Sequence, residues 1–214
     1  MEYYIGCDAH KKYSVFTGIS EDGKVTQDKR VEHDRKAFRC FLETLPKGSQ
    51  IAIETVGNWY WMIDEMEKAG LKPTLVNAAK AKLMMGQINK TDKLDAHGLA
   101  MLARNGTLPA VWIPPGELRD QRELPRMRMA LVNIRTKLKN RIHATLAKYG
   151  ITIDDATDIF GGKGRRLLEE AMYELPQETR HSVGEQLYLL DQVEESITQT
   201  EKRIFKVIKE DHRM

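Results

Sequence analysis

Apolar residues change their spacing near the middle of this chain, from short strand-like runs before residue 106 to helical steps after residue 116. Tyr3 to Asp8 is a short apolar run, and Tyr13 to Ser20 is a second, rich in β-forming residues. The Asp22-Gly23 pair after it is a strong hairpin signal, which makes Lys24 to Glu32 the returning strand. Asp34 suits the N-cap of a helix running to about Leu45, where Pro46 and Gly48 end it. Gln50 to Thr55 reads as a buried strand, a helix from about Asn58 ends at Gly70, and Lys72 to Asn77 is another strand. A small-residue helix and a helix opening at Asp92 complete the order β-β-β-α-β-α-β-α. Such an order predicts an α/β fold, a mixed sheet with an antiparallel meander at its start and helices covering it.

Gly106 to Gly116, with Pro109, Pro114 and Pro115, interrupts that rhythm and separates a first domain, 1–108, from a helical region, 117–214. In the second part Leu124, Met127, Leu131, Ile134 and Leu138 form a heptad seam that Ile142 and Leu146 extend. Leu190, Val193, Ile197, Thr200, Ile204 and Val207 form another. Two seams with a Gly-rich, less regular link between them predict an antiparallel coiled-coil hairpin or a dimerisation element.

Charge sharpens this picture. Residues 117–149 carry nine Lys/Arg against three acids, a net +6, whereas residues 167–201 carry nine acids and one Arg, a net −8. Either the two halves pair with each other or the basic half faces phosphate. No apolar run approaches the roughly 18 residues of a membrane span, and Met1-Glu2-Tyr3-Tyr4 lacks the basic flank of a signal peptide. Two cysteines, Cys7 and Cys40, make no disulfide framework and lack metal-ligand spacing, so a reduced cytoplasm is expected.

Four acids carry the candidate chemistry. Asp92 and Asp95 are three residues apart at a helix start and share a face. Asp8 closes Ile5-Gly6-Cys7-Asp8, and Glu54 closes Ile51-Ala52-Ile53-Glu54. On neighbouring strands those two carboxylates would lie about 5 Å apart, a repulsion that a bound cation removes. Carboxylates so gathered suit Mg²⁺, and Mg²⁺ suits phosphate chemistry. Each acid alone is better explained as a cap or a solvated charge, and only the combination is specific.

Three motifs in order resemble one family: Gly6-Cys7-Asp8-Ala9-His10-Lys11-Lys12, then Glu54-Thr55-Val56-Gly57-Asn58-Trp59-Tyr60-Trp61, then Lys90-Thr91-Asp92-Lys93-Leu94-Asp95-Ala96. They look like the RuvC-like DEDD domain of the insertion-sequence-110 transposases and the related Piv-type DNA invertases. The basic run from Asn133 to His143 is of the kind that follows that domain, so the likeness covers most of residues 1–150. The resemblance implies an RNase H-like (RuvC-like) fold and makes Asp8, Glu54, Asp92 and Asp95 its catalytic, Mg²⁺-binding tetrad. It further implies DNA as substrate, a structured guide RNA as partner, and a C-terminal domain with a serine nucleophile. None of Ser14, Ser20, Ser49, Ser182 or Ser196 lies in a segment like that domain, so the chain is expected to be an N-terminal portion or a truncated copy.

Candidate phosphate contacts are Lys11, Lys12, Lys80, Lys82, Lys90 and Lys93 around the acids, and Arg126, Arg128, Arg135, Lys139 and Arg141 on the basic helix. The alternatives are scattered surface lysines and a solvated coiled-coil face opposite the acidic helix. Trp59, Tyr60 and Trp61 would stack bases or, more simply, pack in the core. His10 and His97 would ligate metal, relay protons or serve as structural hydrogen-bonding groups. The leading reading is therefore a recombinase subunit, homo-oligomeric through its coiled coil. The rivals are an autonomous Holliday-junction-resolvase-like nuclease, a non-catalytic RNA-binding and dimerisation module, and an actin-like ATPase. The last is disfavoured because the chain has no second Asp-Gly phosphate loop.

Overall fold

The computed structural model describes residues 3–86 and 91–211. Contacts divide the chain into two compact units, residues 1–113 and 114–214. In the first, the strands are β1 (Tyr3–Ala9), β2 (Tyr13–Ser20), β3 (Val25–Glu32), β4 (Gln50–Glu54), β5 (Lys72–Val76) and β6 (Ala110–Val111). The helices are α1 (Arg35–Leu42), α2 (Trp59–Lys68), α3 (Ala78–Met85) and α4 (Asp92–Arg104). The six strands form one sheet in the order β3-β2-β1-β4-β5-β6. β1, β2 and β3 make an antiparallel meander, β4 and β5 run parallel to β1, and β6 returns antiparallel on β5. This helix-flanked mixed sheet is RNase H-like. Strand β6 falls in the Pro-rich stretch read from sequence as a break; at two residues it is too short to show a period.

Strand alternation sorts the residues between two layers. Ile5, Cys7, Ile51 and Ile53 face Phe38 and Phe41 of α1 and Met62, Ile63 and Met66 of α2, forming the larger core. Trp59 and Trp61 are partly buried and pack against that core, and Trp61 meets the Phe38 ring edge-on at 4.8 Å. On the opposite face Ala52 and Val76 pack with Leu99 and Ala103 of α4. Small residues are required here. A Cβ placed on Gly6 would lie 1.8 Å from the Ala96 carbonyl oxygen and 2.8 Å from the Ala100 nitrogen. The backbone of α4 therefore lies directly on β1, with its N-terminal turn at the strand's C-terminal end.

The second unit contains α5 (Gly116–Gln121), α6 (Glu123–Lys148), α7 (Gly162–Ala171) and α8 (Gln177–Glu210). Ion pairs from Arg128 to Glu201 and from Lys139 to Glu194 run in opposite chain directions, which makes α6 and α8 antiparallel. Ile142, Leu146, Leu168, Val183, Leu187 and Leu190 share a core in which α7 takes part. That helix lies in the segment read from sequence as an irregular link. Its glycines look like punctuation, but Gly164 is there for contact: a Cβ on it would fall 2.1 Å from the Asp158 carbonyl oxygen. The heptad seam of α6 is buried only in part. Leu131, Ile142 and Leu146 are inside, whereas Met127 and Ile134 are about half exposed, at 51% and 45%. A single facing helix cannot cover both edges of a seam.

Candidate metal centre

Asp8 and Asp92 reach the same point by different routes. Asp8 follows Gly6 by two residues on β1, so strand alternation turns it toward α4. Asp92 is the first residue of α4, capped by Thr91, whose hydroxyl accepts from the Leu94 amide at 3.3 Å. Acids in a first helical turn are favoured by the helix dipole, so Asp92 and Asp95 are tolerated there whatever their chemistry.

Between the two carboxylates lies His10. Its Nε2 is 3.0 Å from Asp8 Oδ2 and 3.2 Å from Asp92 Oδ2. One ligand atom from each of Asp8, His10 and Asp92 lies within 4.8 Å of the others, a grouping able to hold a cation. Burial raises the Asp8 carboxyl above its usual range; the His10 charge opposes this, and the Asp95 and Asp92 charges add to it. Asp95, one turn along α4, thus lies near enough to act on Asp8 through its charge but stands outside the three-residue grouping. Glu54 also stands outside it. The parallel register pairs Cys7 with Ile53, so Asp8 and Glu54 follow one residue further along adjacent strands. Both acids act electrostatically on Cys7, whose thiol is pushed up chiefly by burial.

Tyr13, the first residue of β2, completes the surroundings. Its hydroxyl donates to Asp92 Oδ2 at 2.8 Å, and its ring stacks on His10 with centroids 4.6 Å apart. The hydrogen bond to Asp92 raises the phenol pKa, keeping it a donor. Nothing in the local spacing of the sequence connects positions 13 and 92; only the meander register brings Tyr13 here. The hairpin turn that carries His10 is held from below. Asn58 donates to the His10 carbonyl at 2.8 Å, and the His33 ring lies 2.8 Å from the Ser14 hydroxyl. Burial lowers the His33 pKa, which favours the neutral imidazole. A cavity of about 370 Å³, lined by Ala9, His10, Lys11, Val56, Gly57 and Asn58, opens beside the acids.

The candidate cations have separate fates. Lys11 and Lys12 are exposed in the turn beside the acids. Lys93 lies 2.6 Å from Asp28, which also accepts from Thr17 at 2.7 Å. Burial works to raise the Asp28 pKa, but the bonds from Lys93 and Thr17 and the nearby charge of His97 leave it lowered. Lys93 thus fastens α4 to β3. On α6, Arg126 pairs with Glu123, Arg128 with Glu201 at 2.7 Å and Lys139 with Glu194 at 3.3 Å. Arg141 is exposed and Arg135 half-buried, and neither takes part in the ion pairs found among the described residues. Lys90 lies outside the described residues.

The donor set fits a divalent ion: hard carboxylate oxygens suit Mg²⁺, and an added imidazole nitrogen also suits Mn²⁺. No helix among the described residues is long and apolar enough to cross a membrane. Residues 5–151 match the IS110 DEDD family, described as Transposase. The chain is also 30% identical over 152 residues to the transposase for insertion sequence element IS1111A of Coxiella burnetii (strain RSA 493 / Nine Mile phase I). That alignment covers 70% of this chain and 40% of the relative, so the chain spans well under half of the curated protein it matches.

Proposed function

This chain belongs to the IS110 DEDD family of transposases, and from that premise we propose that residues 1–113 form its Mg²⁺-dependent DNA-processing domain. The observation that carries this reading is the meeting of Asp8 and Asp92, from a strand end and a helix start, on one side of the sheet. Asp8 and Asp92 would hold the ion, with Glu54 and Asp95 completing the acidic surround. When bound, the ion would orient a DNA phosphodiester and neutralise charge on its oxygens. The protein's own residues do the rest. Burial and like charges leave Asp8 costly to ionise without a cation, which favours uptake of one. Lys11 and Lys12 offer positive charge at the same edge for a phosphate backbone.

Residues 114–214 supply a nucleic-acid contact surface and a self-association element on this reading. Arg135 and Arg141 are the cations of α6 best placed to meet phosphates, because helix α8 already engages Arg128 and Lys139. The partners would be the element's DNA, a structured guide RNA and a second copy of the chain.

A transposition assay with the whole transposase carrying Asp8→Asn or Asp92→Asn tests the proposal. Loss of strand cleavage by a protein that still folds, with no lowered melting temperature, is the expected result. Normal transposition by either variant would overturn the catalytic role. Turnover on branched DNA by the present chain alone would instead favour a resolvase-like nuclease.

A further inference from the structure

We infer that Tyr13 is a positioning residue for the metal centre, holding the Asp92 carboxylate in its ligating orientation. The inference rests on the proposal that Asp8 and Asp92 bind a divalent ion. Asp92 needs such a partner. Its side chain is 43% exposed at the first residue of a helix, so packing does not choose its rotamer. The Tyr13 hydroxyl, 2.8 Å from Oδ2, supplies a directed donor, nearer than the His10 Nε2 at 3.2 Å from the same oxygen. The ring itself is held on a rigid strand: it stacks on His10, and the Arg30 guanidinium carbon lies 3.5 Å from its centroid. Arg30 is tied in turn to Glu32 at 3.0 Å. Both Arg30 and Glu32 belong to β3, whose register pairs Glu32 with Tyr13 and Arg30 with Val15. The meander thus carries an aromatic donor to the helix terminus that bears the acid. Hydrogen-bond partners behind a ligating carboxylate fix its direction, and losing one typically weakens metal binding by about 10- to 100-fold.

Mn²⁺ binding to the purified chain, titrated calorimetrically, separates this role from a structural one. Tyr13→Phe keeps the ring and its stacking but removes the donor. The expected result is a dissociation constant raised by about ten-fold with an unchanged melting temperature in chelator. Asp8→Asn, measured alongside, is expected to lose binding. Unchanged Mn²⁺ affinity in Tyr13→Phe, while Asp8→Asn loses it, would overturn the role of Tyr13 and leave the metal site standing. Unchanged affinity in both would overturn the metal site and this inference together. A lowered melting temperature with wild-type affinity would make Tyr13 structural only, and the inference would fall.

Discussion

Asp8 and Asp92 are bridged by a single imidazole nitrogen, His10 Nε2, at 3.0 Å and 3.2 Å from their Oδ2 atoms. The imidazole offsets part of the repulsion between the two acids. Replacing it should therefore matter most when no metal is bound. His10→Ala is expected to lower the melting temperature in chelator, and saturating Mg²⁺ should recover much of the loss. Thermal denaturation of both proteins with and without Mg²⁺ measures this; equal losses in the two conditions would contradict it.

Asp8 itself should give an inverted mutational effect. Its folded-state pKa is raised, first by burial and then by Asp95 and Asp92 against the opposing His10 charge. A raised folded pKa means that the native state holds the proton more tightly than the unfolded chain does. The penalty is thus absent below the unfolded value, about 3.9, and grows as pH rises from there through the raised folded value. Asp8→Asn is expected to melt higher than wild type at pH 7 in chelator, with the gap closing at pH 3.

Glu65 shows the opposite sign. Its side chain is almost fully buried on α2, and the hydrogen bonds from Arg39 push its carboxyl down to about 2 against the cost of burial, with Lys68 assisting. A lowered folded pKa stabilises the fold at neutral pH, and that contribution is lost as the pH falls from the ordinary carboxylate range toward 2. Glu65→Gln should cost about 1–2 kcal/mol at pH 7, discounted because Arg39 is half exposed. Denaturant titrations at pH 7 and pH 2.5 should show that difference shrinking.

Contact between α4 and β1 sets the geometry of the acids. Gly6→Ala puts a methyl group 1.8 Å from the Ala96 carbonyl oxygen, which is backbone and cannot swing aside. It should destabilise the first unit by about 3 kcal/mol and weaken Mn²⁺ binding by displacing Asp92. Wild-type stability in this variant would mean that α4 does not sit where Gly6 requires.

On α6 the cations should separate into two classes. Removing Arg135 or Arg141 should lower nucleic-acid affinity and reduce the salt dependence of binding by about one ion each. Arg128→Ala, which releases Glu201, should change stability by under about 1 kcal/mol and affect binding less. Fluorescence anisotropy across a salt series distinguishes the two classes.

The sequence by itself determined the order from β1 to α4, because strand alternation, the Asp22-Gly23 turn and the Asp34 cap are local signals. It missed β6, which is too short to show a period, and α7, whose glycines read as a link. It did single out Asp8, Glu54, Asp92 and Asp95, whose motifs lie at element ends where local pattern is readable. Tertiary structure alone decided which side chains meet. His10 becomes the bridge and Tyr13 the donor to Asp92 only when the meander register and the Gly6 contact bring β2 and α4 together. Likewise, the charge imbalance of α6 and α8 was visible in composition, but the two helices had to pack before Arg128 and Lys139 found their acids. Such contacts depend on distances between residues remote in the chain, and a linear pattern of residue types carries no distances.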